Sequence, residues 1–216
     1  MAEIKNMQGH FLQAPWLEKP FQHLYGKVKV FTLVSPDRCY LLQKLIRNCI
    51  HFDGEVIECG CFKGGTAYLL ANEIKNTDKS IYLFDTFEGM PDIVVPERDH
   101  SYKGQFGDTS LDLVMKLLRP FRNKVNIYKG LIPETFKWTN IDKLCFAHID
   151  VDIYPSTFDS IKFIYPKMVS GGIIICDDYG FKVYEKAAKQ AIDDYFKDKE
   201  EEVICLPTGQ AMIIKI

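Results

Sequence analysis

Short apolar runs rich in β-branched residues recur along the chain at 55–59 (EVIEC), 80–85 (SIYLFD), 124–130 (KVNIYKG), 144–152 (LCFAHIDVD) and 171–178 (GGIIICDD). Near-continuous apolarity over so few residues is the pattern of strands covered on both faces, as in a parallel sheet. The segments between them, 64–76, 109–120 and 155–168, and the one after them, 184–198, carry apolar residues at i, i+3, i+4 and are predicted to be helices. Alternation of the two kinds specifies an α/β architecture with helices layered on a sheet. The chain then departs from the alternation: 201–207 and 210–216 are two strand-like runs joined only by Thr208 and Gly209, a link that permits only an antiparallel hairpin. Upstream, 36–51 is predicted to be an amphipathic helix with Pro36 in its first turn. Residues 1–51 therefore read as a cap or lid on an α/β core of 52–216, the whole forming one domain. The longest irregular stretch, 86–108, exceeds an ordinary connection and is a candidate functional loop.

Composition narrows the class. A chain of 216 residues that is 47% hydrophobic can bury a sizeable core, which makes disorder a poor reading. Lys and Arg total 27 against 29 for Asp and Glu, a net charge of -2 with neither sign in a block, which argues against a general nucleic-acid or membrane-surface binder. No run approaches the roughly 20 apolar residues of a membrane span, and the first residues lack the pattern of a secretory leader, so a soluble, cytoplasmic protein is expected. The seven cysteines are odd in number and mostly sit in apolar runs, where a thiol packs as a small hydrophobe rather than as part of a disulfide framework. Cys59 and Cys61 have no second pair at zinc-ligand spacing.

Candidate chemistry lies where strands end. Glu58 and Gly60 close the first strand and Gly64, Gly65 and Thr66 open the next helix, a glycine-rich bend at which a ligand can approach the backbone or which simply makes the turn. It matches neither the dinucleotide fingerprint nor the phosphate loop. Asp85 ends the second strand, where doubly wound folds place a carboxylate that accepts from ribose hydroxyls; capping the following turn is the alternative. The strongest signal is acidic. Asp150 and Asp152 end the fourth strand and Asp177 and Asp178 the fifth, so four carboxylates converge at one sheet edge. They would repel one another without a cation, and oxygen-only ligands suit Mg²⁺, unless some of them cap the helices that follow. His148, two residues before Asp150, reads better as a packed, hydrogen-bonded core histidine than as a base.

The stretches VIECGCFKGGTAYLLA (56–71), YLFDTFEGMP (82–91), GDTSLDLV (107–114), HIDVDIYPST (148–157) and GGIIICDDYG (171–180) together resemble the macrocin O-methyltransferase (TylF) family of S-adenosylmethionine-dependent sugar O-methyltransferases. The resemblance spans about residues 30–216 in the same order. It implies a Rossmann-like class I methyltransferase fold, a mostly parallel seven-stranded sheet whose last strand is antiparallel, in agreement with the terminal hairpin. It also implies that Glu58, Gly60, Gly64, Gly65 and Thr66 wrap the methionine part of S-adenosylmethionine, that Asp85, Thr86 and Phe87 hold the ribose, and that Gly130 and Leu131 contact the adenine. Asp108 falls in a family motif near the cofactor. Asp150, Asp177 and Asp178 match the family's Mg²⁺-binding acids, and Asp152, with Asp150 as the other candidate, is the expected general base.

Methyl transfer from a sulfonium to an alcohol is an in-line displacement, so the acceptor hydroxyl must be aligned and relieved of its proton. The expected acceptor is a small glycosylated molecule, a natural product or glycan. The 86–108 loop, with Phe87, Met90, Tyr102 and Phe106, and the aromatic segment around Phe11, Trp16, Phe21, Tyr25 and Phe31 could close over it, or the aromatics could serve as core or subunit interface; an exposed apolar lid would be one reason to form a homo-oligomer. The rival readings are a metal-dependent nucleotide-sugar glycosyltransferase, which would use the Asp-x-Asp at 150–152, and a non-catalytic nucleoside-binding subunit.

Overall fold

The computed structural model describes residues 3–5, 11–92 and 98–216. Residues 93–97 of the long 86–108 loop, and 1–2 and 6–10 of the expected cap, lie outside the described residues. The central sheet has seven strands: β1 (Glu55–Cys59), β2 (Ile81–Asp85), β3 (Val125–Lys129), β4 (Leu144–Ile149), β5 (Met168–Cys176), β6 (Ile204–Cys205) and β7 (Ala211–Ile214). Their order is β3-β2-β1-β4-β5-β7-β6. The first five run parallel, and β7 is antiparallel to both β5 and β6. The expected sheet and terminal hairpin are thus present.

Helices cover both faces because successive strand residues point to opposite sides. Val56, Leu83, Phe146 and Ile173 face one core with Leu42 and Ile46 of α2 (Pro36–Cys49), Leu70 and Ile74 of α3 (Gly65–Ile74) and Val114 of α4 (Leu111–Leu117). Their neighbours Ile57, Phe84, Ala147 and Ile174 face the other, with Ile161 and Ile164 of α5 (Tyr154–Ile164) and Ile192 and Phe196 of α6 (Gln190–Phe196). Every residue of β4 is buried, which is why 144–149 shows no polar alternation.

Several elements are shorter than their patterns suggest. β4 stops at Ile149, so Asp150 and Asp152 belong to the turn beyond it rather than to the strand. The 184–198 helix is regular only from Gln190, because Ala187 has φ -102 and ψ -106 inside the preceding turn. Ahead of the predicted helices, Glu3–Lys5 pairs with Phe11–Gln13 as an antiparallel ribbon, and α1 spans Lys19–Tyr25. Phe21 of α1, Val28, Val34, Cys39 and Leu69 form a small third core, with Trp16 and Tyr25 packed against it, so these three aromatics of the N-terminal segment contribute to the core. Among the described residues no helix is long and apolar enough to cross a membrane, and all seven cysteines are free.

Candidate active site

The strand order reverses between β1 and β4, and open α/β sheets hold ligands in the crevice beyond such a point. Four of the five parallel strands, β1, β4, β5 and β3, hand the chain over with one more ladder bond: Gly60 N donates to Phe84 O (2.9 Å), Asp150 N to Cys59 O (2.8 Å), Asp177 N to Ile149 O (2.9 Å) and Gly130 N to Asp85 O (2.9 Å). The backbone just past these strands therefore continues the sheet's hydrogen bonding by one step. A cleft of about 420 Å³ opens above them, lined by Gly60, Thr66, Asp85, Thr86, Gly130, Leu131, Asp150, Asp152, Asp177 and Asp178 among others.

The acidic end is tight. Asp150, Asp177 and Asp178 each present one carboxylate oxygen, and these oxygens lie within 4.8 Å of one another. Burial, then the charges of Asp177 and Asp178, push the Asp150 carboxyl well above its ordinary range. Burial, then Asp152 and Asp177, do the same to Asp178, whose Oδ2 is buried without a hydrogen-bond partner. Asp177 is balanced differently: its Oδ2 pairs with Arg38 Nη1, and its Oδ1 accepts from Gln210 Nε2 at 2.8 Å. Oxygen donors alone, crowded, buried at Asp177 and Asp178 and half-buried at Asp150, and partly unpartnered, fit a hard divalent cation such as Mg²⁺. Asp152 stands beside them at φ +59, a left-handed conformation that aspartate tolerates at some cost and that is common where geometry serves function. Burial pushes its pKa up to about 6, against the opposing pull of the Tyr184 hydroxyl.

Beneath the cleft, Glu58 and His148 are register partners on β1 and β4. His148 Nδ1 lies 2.8 Å from Glu58 Oε1, and its Nε2 is 3.7 Å from Asp177 Oδ1, in ion-pair reach but beyond a hydrogen bond. Burial favours the neutral ring, while Asp177 and Glu58 outweigh it and push its pKa up to about 10. This agrees with the packed, hydrogen-bonded role expected for His148.

On the β1–β3 side, Asp85 Oδ2 accepts from the N–H groups of Cys61 (2.6 Å) and Phe62 (2.9 Å), and Oδ1 from that of Phe87 (2.7 Å). Burial pushes its carboxyl up, and these three donors pull it back. It therefore ties the bend after β1 to the turn after β2 and still lines the cleft. The two readings of Asp85, ligand and cap, are compatible.

Glu58, Gly64, Gly65, Phe87 and Asp108 do not line the cleft. Glu58 is fully buried with Oε2 unpartnered. The Gly65 N–H is taken by Phe31 O at 2.9 Å, so the N-terminal segment lies across the helix start there. Phe87, at φ +53, donates its N–H to Asp85 from below, and Asp108 is exposed and paired with Lys63. In the same motif Thr109 reaches the cleft and donates to Phe62 O. Sequence reasoning missed Thr109, Arg38, Phe181 and Tyr184 as cleft residues. Thr109 adjoins the singled-out Asp108, and only the fold reveals that α2 brings Arg38 across 139 residues of sequence to Asp177.

Residues 28–205 match the family model of the macrocin-O-methyltransferases (TylF). A demethyldecarbamoylnovobiocin O-methyltransferase from Streptomyces niveus is 28% identical over 177 residues, covering 69% of this chain and 63% of the relative. A mycinamicin III 3''-O-methyltransferase from Micromonospora griseorubida is 24% identical over 182 residues, covering 76% of this chain and 69% of the relative. The chain thus spans somewhat under two thirds of the novobiocin relative's length. Among solved structures, the O-methyltransferase NovP superposes with a TM-score of 0.73 at 24% identity, covering 86% of this chain and 82% of that one. A calicheamicin methyltransferase, CalS11, superposes at 0.71 with 15% identity, covering 99% and 98%. At these identities the likeness speaks for the fold, that of the class I methyltransferases. Neither rival reading, glycosyltransferase or non-catalytic subunit, is favoured by these matches.

Proposed function

Because the chain belongs to the macrocin-O-methyltransferase (TylF) family, we propose that it is an S-adenosylmethionine- and Mg²⁺-dependent O-methyltransferase acting on a hydroxyl of a sugar in a glycosylated natural product or glycan. The names of the novobiocin and mycinamicin relatives support the acceptor class. The observation that carries the reading is the division of one cleft into two halves: a glycine bend with Asp85 on one side, and the Asp150, Asp177 and Asp178 oxygens within 4.8 Å on the other.

S-adenosylmethionine supplies a methyl group on a sulfonium, which leaves alignment and proton removal to the protein. Asp85, immobilised by three backbone donors, is placed to accept from a ribose diol, while Gly130 and Leu131 border the adenine position. Gly60 and Thr66 face the methionine part, and Glu58, buried beneath them, supports the bend. Asp150, Asp177 and Asp178 would hold Mg²⁺, which supplies positive charge that lowers the pKa of the acceptor hydroxyl and fixes its position. Asp152 takes the hydroxyl proton: it stands beside the three carboxylates, and its burial makes it a stronger base than an exposed carboxylate. Phe62, Phe106 and Phe181 line the cleft and exclude water from the reacting atoms.

The test is methyl transfer from labelled S-adenosylmethionine to a panel of deoxyhexose-bearing acceptors, with Mg²⁺ or with EDTA. Transfer that EDTA abolishes supports the proposal; transfer indifferent to EDTA contradicts the Mg²⁺ part. Asp152→Asn is expected to lower turnover by about 10²–10⁴-fold while leaving S-adenosylhomocysteine affinity unchanged; wild-type turnover would remove Asp152 from the role of base.

A further inference from the structure

Among the described residues lining the cleft, Arg38 carries the single cationic side chain, and it sits on the acidic end. Its Nη1 pairs with Asp177 Oδ2, its Nε donates to Ser35 Oγ at 3.0 Å, and its Nη2 reaches Leu33 O at 3.4 Å. The guanidinium also stacks on the Phe181 ring, 5.2 Å from its centroid. Ser35 and Leu33 belong to the segment that enters α2, and Leu33 and Val34 line the same cleft. One guanidinium therefore fastens the N-terminal segment to the acid cluster. The arrangement is asymmetric, because no ion pair to Asp150 or Asp178 occurs among the described residues.

We propose that Arg38 is a built-in counter-ion of the cation site, neutralising Asp177 when the site is empty and yielding that carboxylate to a divalent cation when one binds. The inference rests on the reading of Asp150, Asp177 and Asp178 as cation ligands. A divalent ion bonded to the Asp177 carboxylate stands close to the guanidinium, and in a cleft with little water between them the two positive charges repel strongly. The Asp177 side chain is 1% exposed, and His148, shared with Glu58, reaches only its Oδ1 at 3.7 Å, so Arg38 is the cation in direct contact with Oδ2 and its loss would leave that buried oxygen uncompensated. Arginine suits the role because it keeps its charge at all relevant pH values and its other nitrogens are already anchored on Ser35 and Leu33. Release of Asp177 then costs one hydrogen bond of the guanidinium rather than its whole setting. Cation binding and the seating of the 33–38 segment become coupled equilibria.

The test is calorimetric titration of EDTA-stripped protein with Mn²⁺, with melting temperatures read in parallel. Arg38→Met is expected to bind Mn²⁺ about 10-fold or more tightly than wild type, within the usual range for coupled sites, and to melt lower without metal, a gap that saturating Mn²⁺ closes. Arg38→Gln, which keeps a donor to Asp177 without the charge, is expected to follow it and serves if the methionine variant does not fold. Arg38→Lys, which keeps the charge, stays near the wild-type affinity. Asp178→Asn reports whether the ion is in this site. Mn²⁺ binding that Asp178→Asn abolishes but that Arg38→Met and Arg38→Gln leave unchanged or weaken overturns the inference alone, and makes Arg38 a support of Asp177 instead. Absence of Mn²⁺ binding to every protein overturns the cation reading and this inference with it.

Discussion

Gly60→Ala measures how closely the two halves of the cleft are joined. Gly60 has φ +86, and a Cβ built there would lie 1.8 Å from Asp150 O and 2.6 Å from Asp150 C. Two costs add: about 1–2 kcal/mol for a side chain in the left-handed region, and about 1–3 kcal/mol for forcing apart packed atoms. The second falls on the backbone that carries a candidate cation ligand and whose N–H donates to Cys59 O at 2.8 Å. Gly104→Ala isolates the first cost, since Gly104 has φ +79 and nothing within 4 Å of its would-be Cβ. For a chain of this size about 2–4 °C of Tm is lost per kcal/mol. The expected losses are therefore about 4–20 °C for Gly60→Ala and about 2–8 °C for Gly104→Ala. Thermal unfolding followed by circular dichroism gives the Tm values, and Mn²⁺ titration is expected to weaken in the first variant and not in the second. Equal Tm losses with equal Mn²⁺ affinity would refute the close approach of the β1 bend to Asp150.

Two further outcomes follow from groups away from the cleft. Burial alone would raise the Glu201 pKa, but Lys215 (2.6 Å) and the Tyr165 hydroxyl (2.7 Å) hold it down to about 2. A depressed carboxylate stabilises above its unfolded pKa, so this contribution, about 1–2 kcal/mol after solvent screening, is present above about pH 4.5 and is lost as the pH falls toward 2. Urea unfolding at pH 5.5 and 3 is expected to show a smaller acid loss in Glu201→Gln than in wild type; equal losses would contradict the ion-pair cluster. Of the seven cysteines, Cys205 is exposed and the other six are buried. Burial pushes the thiols of Cys49 and Cys59 up to about 12 and that of Cys145 to about 11. Ellman's reagent is expected to titrate one thiol rapidly in the native protein and seven in denaturant, and two or more fast thiols would contradict the packing.

What the sequence disclosed and what it withheld divide along the range of the interactions. The strands of the sheet announce themselves because burial on both faces leaves unbroken apolar runs, as in 144–149, and the acids at 150, 152, 177 and 178 stand out by interrupting such runs. Neighbouring parallel strands then bring the acids together without further information. Arg38, by contrast, is one charged residue in an amphipathic helix, and nothing local marks it as the partner of Asp177. Likewise Gly65 reads as a ligand-facing glycine, whereas its N–H is taken by Phe31 O from a segment with no clear periodicity. The short N-terminal ribbon, Glu3–Lys5 with Phe11–Gln13, offers too few residues for a period to register.

The measurement that bears most directly on the two-part cleft is calorimetric titration of the purified protein with S-adenosylhomocysteine and, separately, with UDP-glucose, each with and without Mg²⁺. Binding of S-adenosylhomocysteine at one site per chain, with no heat from UDP-glucose, is the result expected of a methyl-transfer site built on Gly60, Thr66 and Asp85. Mg²⁺-dependent binding of UDP-glucose and none of S-adenosylhomocysteine would contradict it and hand Asp150 and Asp152 to a sugar-nucleotide diphosphate.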